Sequence, residues 1–354
     1  MALGWFRAEH FRCLAGVELE LDPGANLFIG PNASGKTSLL EAAFFLSRGR
    51  SFRSRRRAAL VTHGQDAFVL TGQNLAAPAP TVLGVRASRA GTEWHVGGAV
   101  AGGIADLAER FAAQVIDPEV HKLLEEGPSR RRRFLDWGVF HVEPRFLPTW
   151  RRYHQALRQR NAALKQDGSD EDLAAWEQEL AASGEALARQ RDSYLARIAK
   201  PLAEIGGLLL DRPITLFHSP GWDVDRPLLE ALRSDRRRDR GYRATQAGPH
   251  RGDVIVQVDG RAAKDHVSRG QQKLVAAGLM LAQLEVQEQE RPGRSALLLD
   301  DPAAELDRAN LARLMQIVHR MPGQLWITSL RADIEGLPRD ARLFHVEHGK
   351  IHRA

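Results

Sequence analysis

Residues 30–37 read Gly-Pro-Asn-Ala-Ser-Gly-Lys-Thr, which fits the phosphate-binding pattern G-x-x-x-x-G-K-[ST]. The flanks fit as well. Asn26-Leu27-Phe28-Ile29 is a short apolar run of strand type, and residues 37–47 carry Leu39, Leu40, Ala43, Phe44 and Leu46 in helical order. A strand, a glycine loop and a helix in that order aim backbone N–H groups and a positive helix end at an anion. Gly30 and Gly35 permit the tight turn and the close approach of a phosphate. Pro31, Asn32, Ala33 and Ser34 supply the loop between them. Lys36 is the residue to reach the β- and γ-phosphates of ATP and Thr37 to hold Mg²⁺ through its hydroxyl, with Ser38 counted in the same nucleotide-binding run.

Two later segments extend this site. Ser295-Ala296-Leu297-Leu298-Leu299-Asp300-Asp301 is a continuous apolar run ending in two carboxylates, as a buried parallel strand does. Ligands bind at the carboxyl ends of such strands, so Asp300 is the candidate Mg²⁺ ligand with Thr37, and Asp301 the candidate to orient an attacking water. The third segment, Val267-Ser268-Arg269-Gly270-Gln271-Gln272, precedes an apolar run from Lys273 to Ala282. Ser268, Gly270 and Gln271 match the Leu-Ser-Gly-Gly-Gln signature of ABC-type ATPases, while Val267 and Arg269 depart from it. Taken alone, Ser268 reads equally well as an ordinary helix N-cap. In that superfamily the signature serine touches the γ-phosphate held by the other subunit. Ala304-Glu305-Leu306-Asp307 resembles the D-loop, and Leu325-Trp326-Ile327-Thr328-Ser329 reads as the next strand, with Thr328 and Ser329 where transporters of this type place a histidine.

Between the two halves of the site the pattern changes. Residues 2–21 read as a hairpin, with Val17-Glu18-Leu19-Glu20-Leu21 alternating at period two. Further strands are expected at 68–70, 81–85 and 92–96, and an Ala/Pro-rich loop at 75–80. From about residue 143 to 205 the spacing is helical, through Trp150, Tyr153, Leu157 and Leu164. A break at 166–170 carries a Ser169/Asp172 capping box, and then Leu173, Leu180, Leu187 and Tyr194 repeat every seven residues. These predict a short antiparallel helical hairpin. The Arg-dense stretch 233–243 reads as a solvated loop, and 253–258 as a strand turning at Asp259-Gly260.

The chain has 354 residues, 50 basic against 44 acidic, a formal balance of +6. This surplus suits a polyanionic partner. Compact runs at Arg55-Arg56-Arg57 and Arg130-Arg131-Arg132-Arg133 would neutralise phosphates without reading bases, although a charge run is as often a solvated face. The single Cys13 allows no intrachain disulfide and suits a reducing compartment. No signal peptide is expected in the first residues, no apolar stretch approaches the ~20 residues of a membrane span, and a cytoplasmic protein is expected. His63, His121 and His141 have no zinc-ligand spacing.

The segments taken together resemble the RecF family of bacterial DNA replication and repair ATPases over essentially the whole length. The resemblance rests on residues 26–42, Arg50-Ser51-Phe52-Arg53, Gly127-Pro128 to Arg132, the block from Phe134 to Glu143, Thr245, Gly248-Pro249-His250-Arg251 with Asp253, Ser268 to Lys273, and Leu298-Leu299-Asp300-Asp301. Gly252 and Ala304 depart from the family, which usually has Asp and Ser there. The resemblance implies an α/β fold: an ABC-type P-loop ATPase head of the SMC class, with a mixed sheet and two lobes, formed by 1–125 and 246–354, and an inserted helical arm over 126–245. It implies a homodimer that closes on DNA with two ATP between phosphate loop and opposing signature, on single-stranded or duplex DNA and at gap junctions. It further implies slow, DNA-stimulated hydrolysis that releases the DNA, RecO and RecR as partners in loading RecA, and a part in the SOS response. By analogy with related heads, Arg12 would contact nucleotide and Gln114 would be the Q-loop glutamine that couples Mg²⁺ to lobe movement.

Four other readings are weaker. A transporter ATPase has its signature much closer to the phosphate loop. A long-armed SMC protein needs coiled coils of hundreds of residues. A nuclease of the overcoming-lysogenisation type is expected to carry a metal-dependent domain after Asp307. A P-loop kinase has no use for Ser268-Arg269-Gly270-Gln271.

Overall fold

The structure is a computed structural model that describes residues 2–76, 79–338 and 340–354. The first half contains β1 (Leu3–Phe11), β2 (Leu14–Glu20), β3 (Ala25–Ile29), α1 (Lys36–Arg48), β4 (Ala67–Asn74), β5 (Thr81–Ser88), β6 (Thr92–Val96), β7 (Ala99–Val100), α2 (Ile104–Ala108) and β8 (Ala112–Ile116). The middle contains α3 (Lys122–Glu125), α4 (Pro128–Val142), α5 (Phe146–Lys165), α6 (Asp170–Leu210), β9 (Ile214–Ser219), α7 (Leu228–Ser234), α8 (Arg236–Tyr242), β10 (Asp253–Val258), β11 (Arg261–Ala262) and α9 (Ala263–His266). The chain closes with α10 (Arg269–Glu290), β12 (Ser295–Asp300), α11 (Pro302–Glu305), α12 (Arg308–Arg320), β13 (Gln324–Ser329), β14 (Arg342–Glu347) and β15 (Lys350–Arg353).

Two compact units result. The first comprises Met1–His121, Leu208–Leu210 and Lys273–Ala354; the second comprises Lys122–Gly207 and Asp211–Gln272. Residues 246–272, which the sequence reading attached to the head, therefore lie in the second unit.

The first unit holds two six-stranded sheets. One is antiparallel, ordered β2-β1-β4-β5-β6-β7, and the other is ordered β15-β14-β3-β13-β12-β8. In the latter, β14, β3, β13, β12 and β8 run parallel and β15 turns back on β14. Every residue of β3, β12 and β13 is buried, which is why their central residues are apolar. Phe28 stacks on Phe344 at 5.0 Å between ring centres, and Trp326 meets Phe6 edge-on at 5.6 Å. On the other face of α1, Phe45 and Phe11 both pack edge-to-face on Phe68. Tight hairpins follow local chemistry: Gly97-Gly98 and His348-Gly349 take positive φ at both turn residues, as a two-residue type I′ turn requires.

The second unit is built on α5 and α6. They are joined at the 166–169 break, where Ser169 Oγ accepts from Asp172 N and the Asp172 carboxylate accepts from Ser169 N. Leu173, Leu180, Leu187 and Tyr194 are all buried, as the seven-residue repeat predicts. Contacts between the helices run antiparallel, with Arg160 meeting Glu177 and Thr149 meeting Gln190. A three-stranded sheet, β11-β10-β9, completes the unit, its β10–β11 turn formed by Asp259 and Gly260 at positive φ.

One expectation fails here. Residues 233–243 are not a loop: they include the end of α7 and all of α8. Part of the charge is paired, while Arg233, Arg237, Arg238 and Arg243 stay exposed. Arg236 bonds Glu177 at 2.6 Å, Arg240 bonds Asp170 at 2.7 Å, and Asp239 is fully buried against Arg160. The 75–80 loop is described only outside residues 77 and 78.

Candidate functional site

The phosphate loop connects β3 to α1 at the carboxyl edge of the parallel sheet. Two glycines are required by shape. A side chain at Gly30 would strike Val346 O at 2.1 Å, and Gly35 sits at φ +118°, where it opens α1. No side chain caps α1, so the N–H groups of its first turn face outward with the positive end of the helix dipole. Ser34 is buried, and its Oγ has no hydrogen-bond partner. An uncapped helix start beside an unsatisfied buried hydroxyl is a donor set that fits an oxyanion, and these residues therefore suit a nucleotide phosphate. Pro31, Asn32 and Ala33 are exposed at the loop crest, and Ser38 is buried in the first turn.

Lys36 folds back over the loop. Its Nζ donates to Gly30 O at 2.6 Å and to Pro31 O at 2.9 Å. Burial lowers the Lys36 pKa from its usual value, while Asp301 and Asp300 pull it back up. Across the loop, Thr37 Oγ1 donates to Asp300 Oδ1 at 2.9 Å, and Thr328 Oγ1 donates to the same oxygen at 2.9 Å. Thr328 also accepts from the Asp301 backbone N–H at 2.9 Å. Burial raises the Asp300 pKa, and the two hydroxyl donors oppose it; burial likewise raises Asp301, opposed by Lys36. Asp301 takes a left-handed conformation, φ 45°, which ends β12 and starts α11. Thr328 thus orients the Asp300 carboxylate and ties down the Asp301 backbone, a role that the bare Thr-Ser pair does not reveal.

Three further features escaped the sequence reading. Glu41 of α1 is fully buried, and its carboxylate accepts from Arg12 at 2.7 and 2.8 Å and from Ser51 Oγ. Arg53 adds a longer contact at 3.8 Å. Arg12, at φ 56°, is thereby anchored to the helix that follows the phosphate loop. The signal was a lone Glu inside an otherwise apolar helix. The second feature is Gly349, whose N–H donates to Ser34 O at 2.8 Å and which packs so tightly that a side chain would lie 2.1 Å from Cys13 O. The β14–β15 turn thus buttresses the phosphate loop. The third is an ion pair between Lys273 and Glu305, beside the Ala304 position.

Gln114 does not stand at a strand end. It pairs with Leu297 inside β8, three rungs short of Asp300, and is 1% exposed. Its Oε1 accepts from Arg48 at 2.7 Å and its Nε2 donates to Gln283 Oε1. In this arrangement Gln114 is a core amide paired on both sides and set back from the sheet edge where its Q-loop reading would place it.

Ser268, Gly270 and Gln271 lie in the second unit, exposed at the start of α10. Ser268 N donates to Gln271 Oε1 at 3.0 Å and Gln271 N donates to Ser268 Oγ at 3.3 Å, a reciprocal capping box. The ordinary capping role is therefore present in this arrangement. The basic runs separate. Arg55, Arg56 and Arg57 are exposed. In the other run Arg131 is held by Asp253 at 2.8 Å, and Arg132 donates to Gly252 O at 2.6 Å. These two are spent on packing their own unit. Gly252 itself is sterically required, since a side chain there would meet Ser219 O at 2.6 Å.

The chain matches the family described as RecF/RecN/SMC N terminal domain over residues 3–351. The DNA replication and repair protein RecF of Chromohalobacter salexigens is 40% identical over 349 residues, 96% of either chain. That of Stenotrophomonas maltophilia is 41% identical over 347 residues, covering 95% of this chain and 94% of the relative. Among solved structures, the recombination mediator protein RecF with ATP, described in the RecFOR pathway, superposes with a TM-score of 0.89 at 27% identity, covering 100% of this chain and 97% of that one. An Smc head bound to the C-winged helix domain of ScpA shares the fold alone, with a TM-score of 0.59 at 14% identity. The mixed α/β architecture is that of ABC-type ATPase heads, and the chain belongs to the RecF family of DNA replication and repair proteins.

Proposed function

We propose that this protein is an ATPase of DNA replication and repair that binds ATP at residues 30–38 and acts on DNA as an ATP-closed homodimer. The observation that carries the reading is the convergence of Thr37 and Thr328 on one oxygen of Asp300 beneath an uncapped helix start.

The residues divide the work as follows. The first-turn N–H groups of α1 and the Ser34 hydroxyl receive the phosphates. Lys36 releases Gly30 O and Pro31 O and turns its ammonium to the β- and γ-oxygens. Thr37 Oγ1 and Asp300, 2.9 Å apart, are placed to hold Mg²⁺ together; when bound, the ion neutralises charge developing on the transferred phosphoryl group. Asp301, with its pKa raised by burial, is suited to orient the attacking water and take up its proton. Arg12, anchored by Glu41, borders the nucleotide. Ser268, Gly270 and Gln271 complete the site from a second copy, Ser268 exchanging its bond with the Gln271 N–H for the γ-phosphate.

DNA, whether single-stranded, duplex or gapped, is held by basic side chains, with Arg55, Arg56 and Arg57 exposed for the purpose. RecO and RecR are partners by family, and the cytoplasm is the working compartment. No helix among the described residues is long and apolar enough to cross a membrane.

Light scattering with and without ATP–Mg²⁺, on wild type and Ser268→Arg, tests the reading. An ATP-dependent dimer that Ser268→Arg abolishes, with ATP binding kept, is the expected result. A Ser268→Arg protein that dimerises like wild type rules out the shared site.

A further inference from the structure

The helix α5 has 20 residues and contains no aspartate or glutamate. Its arginines and lysine divide by helical phase. Arg160 is fully buried against Glu177 and Asp239, and Arg152 bonds Glu179 at 2.7 Å. The others, Arg151, Arg158 and Lys165, recur every seven residues. A seven-residue step returns to within ~20° of its starting direction on a straight helix, so these side chains share one stripe. The buried residues Tyr153, Ala156, Arg160 and Leu164 occupy the opposite side. Arg151, Arg158 and Lys165 are all exposed, and none makes a hydrogen bond or ion pair among the described residues.

Carboxylates on the elements packed around α5 are already engaged. In α6, Glu177 is held by Arg160 and Arg236, and Asp170 by Arg236 and Arg240. Asp239 of α8 is held by Arg160, and Asp136 of α4 by Arg191. Asp167, in the turn after α5, lies 4.0 Å from Arg243. The stripe is thus a row of unneutralised cations, flanked by the exposed amides of Gln155 and Gln159.

We propose that this outer face of α5 is a contact surface for the phosphate backbone of duplex DNA, with Arg151, Arg158 and Lys165 each meeting a phosphate. The inference rests on the reading of this protein as one that acts on DNA, and adds to Arg55, Arg56 and Arg57 a surface in the other unit. At 1.5 Å per residue, Arg151 and Lys165 are about 21 Å apart along the helix, roughly six base steps of duplex. A protein partner would need aromatic or aliphatic anchors, and the stripe offers none. A single strand would need aromatic faces on which bases stack, and the nearby Trp150 ring already lies 4.0 Å from that of His154. Charges and amides without anchors suit a duplex backbone, and contacts of this kind position DNA without reading its sequence.

The test follows binding of the full chain to a duplex oligonucleotide against salt, by fluorescence anisotropy with ATP–Mg²⁺ present. Arg151→Gln, Arg158→Gln and Lys165→Gln combined should lower the slope of log K against log salt by about two to three, and Arg158→Gln alone by about one. Arg189→Gln, which removes one exposed charge from α6, should leave the slope unchanged. ATP binding and the thermal melt should match wild type in every variant, because the altered side chains are exposed. A slope that the triple variant leaves intact, or that Arg189→Gln lowers as much as Arg158→Gln, overturns the surface while wild-type binding upholds the DNA reading. Wild type that binds no duplex overturns both. In a second arm, a single-stranded oligonucleotide or polyglutamate replaces the duplex. A loss in the triple variant confined to either of these assigns the face to that partner and overturns the duplex contact.

Discussion

Lys36 Nζ lies 2.6 Å from the carbonyl oxygen of Gly30, so the phosphate-seeking amine is satisfied by its own loop. That contact keeps a partly buried ammonium from being left unpaired, and phosphate oxygens must replace it. Lys36→Met should weaken ATP binding by on the order of 2–3 kcal/mol, the scale of a charge-assisted bond. The Lys36 pKa is lowered by burial, so the charged form is lost at a pH below that of a free lysine. Affinity for ATP should therefore fall at high pH, earlier than a free amine would dictate. Nucleotide fluorescence titration across the alkaline range measures both effects.

Thr328 should matter to turnover more than to binding. Thr328→Val removes the donor to Asp300 and the acceptor for Asp301 N–H while keeping volume. We expect kcat to fall by about tenfold to a hundredfold, on the scale of 1.4 kcal/mol per factor of ten, with little change in ATP affinity and with Thr328→Ser restoring activity. An unaltered kcat in Thr328→Val would show that the two carboxylates hold their positions without it.

Gly349 is placed to tie nucleotide affinity to the β14–β15 turn. It has φ 75°, and an added methyl would meet Cys13 O at 2.1 Å. Gly349→Ala should cost about 1–3 kcal/mol in stability and should raise the KM for ATP by loosening Ser34. Chemical denaturation and steady-state kinetics separate the two effects.

Arg160 is the centre of the second unit. Fully buried, it donates to Asp239 at 2.6 Å, Thr245 Oγ1 at 2.9 Å, Glu177 at 3.1 Å and Leu232 O at 3.1 Å. Arg160→Met strands the buried Asp239 carboxylate and leaves Glu177 with Arg236 alone, and should destabilise by about 3–5 kcal/mol. Calorimetric unfolding would report it.

His250 makes that unit acid-sensitive. Its Nδ1 accepts from Tyr153 OH at 2.6 Å and its Nε2 donates to Thr245 O at 2.9 Å, which defines a neutral ring. Burial pushes its pKa down to about 4, with Arg251, His154 and Arg132 adding to the shift. The unfolded chain takes up a proton near pH 6.5 and the folded chain only near pH 4, so stability is full above 6.5 and falls as the pH drops from 6.5 to 4. His250→Gln should flatten that part of the profile, read as the urea midpoint against pH.

The parts of this molecule that sequence made legible are those set by neighbours along the chain. The glycines of the loop, the apolar run of β12, the capping box at Ser169 and the heptad leucines of α6 are local patterns, and each takes the expected secondary structure. What sequence hid is where a charge spends itself. Arg131 and Arg132 look like a phosphate-binding run, yet Asp253 and Gly252 O, far along the chain, claim them. Arg236 and Arg240 look solvated until Glu177 and Asp170 are seen beside them. Gln114 has the right residue type for a mechanistic role, and only strand register shows it to be three rungs too deep. Partners of this kind come from tertiary closure, which no window of sequence contains.

The contact between Gly349 and Ser34 also orders events during synthesis. The phosphate loop leaves the ribosome well before its buttress and its flanking strands β13 and β14, which follow it by most of the described chain. At about 5–20 residues per second the loop waits roughly tens of seconds for them. Until those strands emerge, a nascent chain carries the nucleotide motif without the frame that holds its loop in place.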